Sequence, residues 1–331
     1  MSGTPAAPPE DRPAPPAAAT RAQAEVRAQA ERPSRIARAW WWASDYVYAT
    51  RRQLAILTPP WTIGRPRPEP ATWRHGSPDL PEIILLPGVY EHWTFLRPLG
   101  DALSEAGHRV SVVHGLGVNR RGVVETSERL GRALAKRSAT PAGRVIVAHS
   151  KGGLIAKHLL ISSGAAAAAA AEAAKGGDPA EAAASAPAPD AASSGDGPTD
   201  AGPTDAGSTD AGSPDAGPTR AGSPDDRPLG LLGLVAVCTP FKGSRLARYL
   251  VDPSVRAMLP NDETIVMLGR DSSVNGRVVS VFGRYDPHIP DGSMLEGATN
   301  VQVPAVGHFH VLAARETHQA VLDGVRMLAS R

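Results

Sequence analysis

A strand, a tight turn and a helix follow one another directly near the middle of the chain. The β-branched run Val145–Val147 predicts a buried strand, and Leu154–Leu160 is rich in apolar residues at helical spacing. Between them, Ala148 and Gly152 flank Ser150 with small side chains, which a sharp turn requires. Such a turn lifts the hydroxyl clear of the sheet and points the first helix amides at it. The sequence therefore predicts a nucleophilic Ser150; the alternative is a serine that only caps the helix.

A serine hydroxyl is a weak nucleophile, so a base and an acid that orients the base are needed as well. Two later predicted strands end near suitable side chains. Strand 277–283 is followed by Asp286, and the short strand 300–303 is followed by His308. Pro287 stops the first of these strands from continuing, which leaves the carboxylate on a loop. We predict that His308 accepts the serine proton and that Asp286 orients the imidazole.

Each of these two partners has an alternative nearby. Asp291 can replace Asp286 as the acid, although it lies in what is predicted to be an open loop, and Asp286 itself can be a solvated turn residue. His310 is predicted to face the opposite way or to start the last helix, whereas His318 lies inside that helix. We rank His308 first because it directly follows a glycine-containing loop.

Acyl transfer also requires amide donors for an oxyanion. The predicted early strand 82–86 runs into a Pro-Gly pair, and Gly88 would let the backbone pass close to a substrate. We predict that the amide of Val89 is one donor and that the amide of Lys151, directly after the serine, is the other. The His-Gly pair at 114–115 is a competing donor site one strand further away, and a plain turn at Gly88 is the alternative.

The segment between the fourth and fifth predicted strands is short. Residues 239–276 have room for small helices around 245–250 and 255–259 but not for a large cap domain, which predicts a shallow, open site. The side chains predicted to line its substrate pocket are Tyr90, His92, Trp93 and Phe241.

Strands and helical segments alternate along the chain once one low-complexity stretch is set aside. The predicted strands are 82–86, 109–113, 144–148, 231–238, 277–283 and 300–303. This alternation predicts an α/β fold: a doubly wound, mostly parallel six-stranded sheet with helices on both faces. We expect the spatial order 2-1-3-4-5-6, with the functional site at the carboxyl edge of the strands.

Two regions are predicted to lie outside this sheet. Residues 1–33 are Pro- and Ala-rich and predict a disordered or solvated arm. Residues 164–228 begin with an alanine run and continue as a polar five-residue repeat. This stretch lacks the large apolar side chains that would offset its ordering entropy, so it predicts a disordered insert. The remaining predicted units are a Trp-rich helix with a Pro-rich linker at 34–80 and one α/β domain formed by 81–163 and 229–331.

Three consecutive tryptophans, Trp40 to Trp42, lie in a predicted helix at 36–48 with arginines on both sides. Successive helical residues turn by about 100°, so three indoles cannot all face one core. One interpretation is peripheral membrane contact, with indoles at headgroup depth and arginines on anionic lipid. The other interpretation, which we prefer because the helix has little hydrophobic length, is a helix that docks across the α/β domain.

Together these motifs resemble the α/β-hydrolase superfamily and, within it, the bacterial lipases and esterases. The resemblance covers about 81–163 and 229–331. Segment 148–152, Ala-His-Ser-Lys-Gly, is similar to the serine turn of some small bacterial lipases in which alanine replaces the first glycine. Segment 239–244 resembles a Thr-Pro-His-x-Gly-Ser segment of the family, with Phe241 at the histidine position. The resemblance implies the α/β-hydrolase fold and a serine, histidine and acid triad.

The same resemblance implies a serine hydrolase that cleaves carboxylic esters through an acyl-enzyme on Ser150. Its substrate would be a small-molecule ester or a lipid, and no cofactor is expected. An acyltransferase that uses the same triad and a non-catalytic binding module of the same fold are the alternatives. We expect no metal centre, because the His and Asp clusters lack ligand spacing.

Composition restricts the partners and the compartment. The 35 Lys and Arg residues nearly balance 33 Asp and Glu residues, and this net charge of +2 argues against nucleic-acid binding. The one cysteine, Cys238, lies in an apolar strand and is predicted to be a core residue. The sequence contains no signal-peptide pattern and no apolar run long enough to span a bilayer, so we expect a cytoplasmic protein. The oligomeric state does not follow from the sequence.

Overall fold

The computed structural model describes residues 34–54, 68–116, 118–176 and 229–331, with side chains described throughout except at 169–176. Two predicted regions, the arm at 1–33 and most of the insert, therefore lie outside the described residues. Part of the Pro-rich linker, 55–67, also lies outside them.

Six strands form one sheet in which every neighbouring pair is parallel. The strands are β1 (Glu82–Leu86), β2 (Val110–Val112), β3 (Arg144–His149), β4 (Leu231–Val237), β5 (Val278–Tyr285) and β6 (Thr299–Val306). Their spatial order is β2-β1-β3-β4-β5-β6, which confirms the predicted order. β6 is longer than the predicted 300–303, because it pairs with β5 from Thr299 as far as Val306.

Helices connect the strands. The α-helices are α1 (Arg35–Leu54), α2 (Arg97–Glu105), α3 (Val123–Ala135), α4 (Lys151–Gly176), α5 (Pro253–Arg256), α6 (Glu263–Arg270) and α7 (Arg315–Ala329). Short 3-10 helices occupy Ala71–Arg74, Trp93–Leu96, Arg245–Tyr249, Asn275–Arg277 and His310–Ala313. The last helix, predicted as one piece over 311–330, is divided because Ala314 is extended (φ −73°, ψ 133°). Between β4 and β5 only short helices occur, so the absence of a large cap domain is confirmed for these described residues.

Helices cover both faces of the sheet, since successive strand residues point to opposite faces. On one face, Ile83 and Leu85 of β1 pack in a core with α2 and α7. On the other face, Ile84 and Leu86 pack in a core with α3, α4 and α6. The strands are therefore held rigidly between two helical layers, and their carboxyl ends meet at one edge of the sheet.

Helix α4 corrects the predicted start of the insert. Disorder was predicted from Gly164, but the helix continues to Gly176. The alanine run at 165–171 accounts for this difference, because alanine has the highest helix propensity of all residues. Helix α4 therefore continues beyond the residues that pack against the sheet and includes the alanine run.

Helix α1 packs on the loops that follow β5 and β6, as the docking interpretation predicts. The Trp41 and Tyr285 rings are 5.6 Å apart, and the Arg38 guanidinium lies 5.4 Å from the Tyr285 ring. The carboxylate of Asp45 is buried against the segment after β6. Within the described residues, no helix combines the length and apolarity that crossing a membrane requires.

Candidate active site

The predicted nucleophile, Ser150, lies in the turn between β3 and α4. Its φ of +52° is in the left-handed region, which non-glycine residues seldom occupy. The turn is also crowded: a Cβ at Gly152 would lie 2.5 Å from the Leu86 oxygen, and a Cβ at Gly153 would lie 2.0 Å from Thr239 Oγ1. Because neither position has room for a Cβ, the turn requires the predicted glycine at 152 and a second glycine at 153.

The structure brings Ser150, His308 and Asp286 together at the carboxyl edge of the sheet. Ser150 Oγ lies 3.0 Å from His308 Nε2, and His308 Nδ1 lies 2.8 Å from Asp286 Oδ2. The other Asp286 oxygen accepts hydrogen bonds from the amides of His288 and Ile289, at 2.8 and 3.1 Å. When Nδ1–H donates to the carboxylate, Nε2 is left to accept the serine proton. The arrangement is thus suited to general-base activation of the serine.

Neighbouring charges set the basicity of His308. Burial by itself lowers the pKa of His308, but the carboxylates of Asp286, Glu91 and Asp45 outweigh burial and raise that pKa above 6.5. Burial by itself raises the pKa of Asp286, but His308 and the His288 amide outweigh it and lower that pKa below 3.8. The acid is therefore ionised at neutral pH, and the base is stronger than a free imidazole.

The alternative acid and bases that the sequence offered have other partners. Asp291 Oδ1 lies 2.6 Å from an Arg245 guanidinium nitrogen. The His310 ring meets the Tyr48 ring edge-on, with 5.8 Å between centroids. His318 Nε2 lies 2.9 Å from a backbone oxygen of the 3-10 helix that precedes α7. The geometry thus favours the acid and base that we ranked first.

Two loops that carry the predicted oxyanion donors meet at Ser150. A Cβ at Gly88 would lie 3.0 Å from the Ser150 Cβ, so the loop after β1 passes directly beside the serine. Val89 is the next residue of that loop, and Lys151 begins α4 immediately after the serine. Amides in such positions can donate to a negatively charged oxygen. The positions of both residues are compatible with the predicted role.

The side chain of Lys151 has a structural role that was not predicted. It is fully buried, and Nζ donates to the backbone oxygens of Asn119, Arg121 and Ser254, at 3.0, 2.7 and 3.2 Å. Burial lowers the pKa of Lys151 to about 8, although the charge of Asp252 partly opposes this effect. The lysine therefore joins the start of α4 to the segments that follow β2 and β4.

A second buried acid–histidine pair lies beside the first and was not predicted. Glu91 Oε1 lies 2.7 Å from His149 Nδ1, and Glu91 Oε2 accepts the Gly88 amide at 2.7 Å. His149 Nε2 donates to the backbone oxygen of His308, at 2.9 Å. Both ring nitrogens thus face oxygens, so the pair holds two protons, either as an ion pair or with Glu91 protonated. It connects the loop of Gly88 to the loop of His308.

The predicted pocket residues fall into two groups. Trp93 and Phe241 expose only 3% and 2% of their surface and pack in the two cores, and their place in a substrate pocket stays a prediction. Tyr90 is exposed, and its hydroxyl hydrogen-bonds Asp252. His92 is half-buried, with Nδ1 3.1 Å from the Thr94 hydroxyl. Tyr90 and His92 are therefore the more exposed of the four candidates for contact with a substrate.

The two central side chains of the site are mostly buried, and the shallow, open site stays a prediction. Ser150 and His308 expose 6% and 5% of their surface. Two contacts link segments around this edge: Asp45 of α1 binds the loop that carries His308, and the Tyr90–Asp252 hydrogen bond joins the loops after β1 and β4.

Two groups of potential metal ligands occur near the serine, and both include His308. They are Glu91 with His149 and His308, and Cys238 with Asp286 and His308, with ligand atoms within 4.8 Å of one another. The first group is already linked by hydrogen bonds. In the second, burial raises the pKa of the Cys238 thiol well above 9, which disfavours the thiolate that binds metals. We therefore assign both groups to the hydrogen-bond network.

Comparison with known proteins gives weak similarities. No family model and no curated protein sequence matches the chain. Among solved structures, a mature lipase of Bacillus licheniformis is 12% identical, with a TM-score of 0.48 over 78% of this chain and 96% of that one. Aspergillus fumigatus lipase B is 15% identical, with a TM-score of 0.43 over 70% and 47% of the two chains. A metagenomic carboxyl esterase is 13% identical, with a TM-score of 0.43 over 82% and 80%.

The topology itself indicates the structural class. Six parallel strands in the order β2-β1-β3-β4-β5-β6 carry a serine turn after β3, an acid after β5 and a histidine after β6. The chain order of serine, acid and histidine is the order found in α/β hydrolases, with the serine on a strand-to-helix turn. This chain therefore has the α/β-hydrolase fold.

Proposed function

We propose that the protein is a serine hydrolase that cleaves carboxylic esters. The observation that carries this proposal is the continuous contact from Ser150 Oγ to His308 and on to Asp286, with separations of 3.0 and 2.8 Å. A serine that only capped a helix would need no base aligned with its oxygen. The choice of esters is supported by the similarity of segment 148–152 to the serine turn of small bacterial lipases.

The first half of the reaction forms the acyl-enzyme. Ser150 Oγ attacks the ester carbonyl carbon while His308 Nε2 takes the hydroxyl proton. Asp286 keeps the proton on Nδ1 and stabilises the imidazolium that forms. The amides of Val89 and Lys151 donate to the carbonyl oxygen as it becomes negatively charged. When the tetrahedral intermediate collapses, His308 protonates the leaving alcohol and the acyl group stays on the serine.

The second half of the reaction releases the acid. His308 removes a proton from water, the resulting hydroxide attacks the acyl carbon, and the serine oxygen leaves with the proton. An alcohol can replace water in this step and would give acyl transfer with the same groups. The analysis of products from one ester, in water with and without added alcohol, separates hydrolase from acyltransferase.

Labelling by a fluorophosphonate tests the nucleophile. The probe should label the wild-type protein and should not label Ser150→Ala, because the phosphonate bonds to the activated oxygen. Ser162→Ala is a matched control on α4, where that hydroxyl donates only to the Leu159 backbone oxygen; it should be labelled like the wild type. Equal labelling of wild type and Ser150→Ala, or no labelling of a folded wild type, would refute the proposal and favour a non-catalytic binding module.

A series of p-nitrophenyl esters of increasing acyl length tests the substrate class. We expect kcat/KM to pass through a maximum along the series, as the acyl chain first fills and then exceeds the space beside Ser150. Hydrolysis at the same rate with all lengths, and in Ser150→Ala as well, would show that the observed reaction does not use this site.

A further inference from the structure

Helix α1 contributes a buried carboxylate to the loop of His308. Asp45 is fully buried. Its Oδ2 accepts the His308 amide at 2.9 Å, and its Oδ1 accepts the amides of Phe309 and His310 at 2.8 and 2.7 Å. These three consecutive amides lead into the 3-10 helix that starts at His310. One side chain near the start of the chain thus binds a loop that lies more than 260 positions later.

A buried carboxylate is stable only if its charge is compensated. The nearest ring nitrogen, His288 Nε2, is 3.7 Å from Asp45 Oδ2, which is too far for a hydrogen bond. The three amides therefore supply the compensation, and hydrogen bonds from amides to a carboxylate are stronger than those to a neutral oxygen. The fit is tight, because a Cβ at Gly307 would lie 2.6 Å from Asp45 Oδ1. The contact specifies one position of the loop.

We propose that Asp45 is a positioning residue for His308, so that α1 is an integral part of the active site. Asp45 holds the backbone of the histidine from one side, while the Glu91–His149 pair binds its carbonyl oxygen from the other. This inference rests on the proposed function for its kinetic consequences. Its geometric content, a fixed imidazole, does not depend on catalysis.

Asp45 also acts on His308 through its charge, since its carboxylate is one of those that raise the pKa of the imidazole. Removal of this charge should therefore lower the pKa of His308. The other titratable groups around the ring are Asp286, Glu91, His149, His288 and Cys238. Burial and the neighbouring His308 lower the pKa of His288 to about 4, so His288 is neutral near pH 7 and does not replace the lost charge.

The test replaces Asp45 by asparagine in the full chain. Asp45→Asn retains the shape and one acceptor oxygen but turns an N–H₂ group towards amides that also donate. We expect kcat to fall by about 100-fold, the effect of a misplacement of about 1 Å, with a smaller change in KM. The acid limb of the kcat/KM profile should move to lower pH. Thr50→Ala, on the exposed side of α1, should change neither quantity.

An NMR titration of the His308 ring, assigned with His308→Gln, reads the same effect without catalysis. A lower pKa in Asp45→Asn supports the inference even if the protein proves not to be a hydrolase. A folded Asp45→Asn with unchanged kcat and unchanged His308 titration overturns it. If Asp45→Asn does not fold, Trp41→Ala loosens α1 while it keeps the carboxylate. That variant should show a partial loss of kcat, and wild-type kcat with wild-type titration would overturn the inference.

The opposite side of α1 carries a second, independent inference. Ile36, Trp40, Val47 and Leu54 expose 83%, 71%, 59% and 53% of their surface. Their spacing of four and seven residues places them on one stripe, because residues so spaced share one face of a helix. The only acidic residue of α1 is the buried Asp45, whereas its basic residues are Arg35, Arg38, Arg51 and Arg52.

We infer that this exposed stripe binds the surface of an anionic lipid bilayer. Indole and aliphatic side chains enter the interface, and arginines near the ends of the helix bind phosphate groups. The inner side of α1 stays on the protein through Asp45, so binding would place the active-site edge next to the lipid. The arginines favour an anionic surface over a second copy of this chain, because two such helices would repel each other.

Sedimentation with vesicles tests this inference on the full chain. Binding is expected with phosphatidylcholine vesicles that contain phosphatidylglycerol and should weaken as salt rises. Trp40→Ser should reduce the partition coefficient by about tenfold. Val251→Ser, which changes an exposed apolar side chain outside α1, should not reduce it. No sedimentation of the wild type, equal binding by Trp40→Ser, or a dimer in solution that Trp40→Ser dissociates would overturn the inference.

Discussion

The two halves of the candidate site are built in different ways. The nucleophile half consists of the loops after β1, β2, β3 and β4, and the base half consists of the loops after β5 and β6. In the described residues, all the non-glycine residues with left-handed φ lie in the nucleophile half: Tyr90 (62°), Asn119 (53°), Ser150 (52°) and Cys238 (47°). In the base half, the residue with left-handed φ directly before the histidine is a glycine, Gly307, with a φ of 100°.

This difference indicates how each half keeps its geometry. Strained residues cost about 1–3 kcal/mol each and persist only where close packing leaves no other conformation. The nucleophile half therefore depends on steric exclusion by its immediate neighbours, in addition to the hydrogen bonds of Lys151 and Glu91. The base half has little backbone strain and is held by buried carboxylates, Asp286 and Asp45, that bind backbone amides. We therefore expect the nucleophile half to respond to changes of shape and the base half to respond to changes of charge.

Asp286→Asn should have the largest effect on activity. The amide can donate to His308 Nδ1 and would favour the tautomer that carries its proton on Nε2, which cannot then accept from the serine. We expect kcat/KM to fall by about 10⁴-fold, while the folded structure persists. Asp291→Asn, which alters only an exposed pair with Arg245, should stay within about twofold of the wild type. Similar losses in both variants would mean that the acid has been misassigned.

Gly152→Ala should have the largest effect on stability. The added Cβ would lie 2.5 Å from the Leu86 oxygen and 2.8 Å from the Pro87 oxygen, and these backbone atoms cannot move without distorting β1. We expect a loss of about 3 kcal/mol or more in the free energy of unfolding, measured with urea. Gly164→Ala is a matched control on the same helix, where the Cβ meets open space; it should stabilise by about 0.5–1 kcal/mol. Equal stability of the two variants would contradict steric control.

The nucleophile half was predictable from the sequence because its rules are local. The strand, the small residues and the helix around Ser150 are adjacent in the chain. The hydrophobic runs located the six strands, and the usual doubly wound topology supplied their spatial order. Asp286 and His308 were also found, since carboxyl ends of parallel strands meet at one edge whatever lies between them. Position relative to a strand end was therefore enough to select three side chains that lie within hydrogen-bond distance of one another.

The hydrogen bonds that hold these groups in place were not predictable, because the residues that make them are far apart in the sequence. Asp45 precedes every strand, and nothing in its neighbourhood indicates a buried carboxylate. Glu91 and His149 had a weak signal, since one lies three residues after Gly88 and the other directly before the serine, but their pairing requires β1 beside β3. The packing of Trp93 was hidden for a related reason: its closeness in sequence to the oxyanion loop does not reveal that its ring packs in a core.

Glu91→Gln tests whether charge also controls the junction of the two halves. The amide keeps the size of the side chain, and its oxygen can still accept the Gly88 amide, but its N–H₂ group cannot accept the His149 proton that the carboxylate accepts in the ion-pair form. We expect kcat/KM to fall by about 10- to 100-fold, as for other groups that orient a reacting residue, with near-wild-type unfolding. Glu125→Gln, on the exposed surface of α3, is the control and should be neutral. Full activity in Glu91→Gln would mean that, of the three carboxylates, only Asp286 and Asp45 control His308.

The pH dependence of kcat/KM in the wild type is the smallest of the expected effects, but its direction is well defined. Catalysis requires neutral His308, and its pKa lies above 6.5 because three carboxylates outweigh burial. The acid limb of kcat/KM should therefore lie at a higher pH than an unperturbed imidazole would give. Initial rates with an uncharged ester between about pH 5 and 9 measure this limb.

Removal of any one carboxylate around His308 should move the limb to lower pH, since each favours the protonated ring. Asp45→Asn should shift it in this direction, whereas Gly152→Ala, if it folds, should lower the plateau without a shift, because it changes shape and not charge. An acid limb below pH 6.5 in the wild type would mean that burial outweighs the carboxylates. The base half would then be held by packing, as the nucleophile half is, and the distinction between them would be lost.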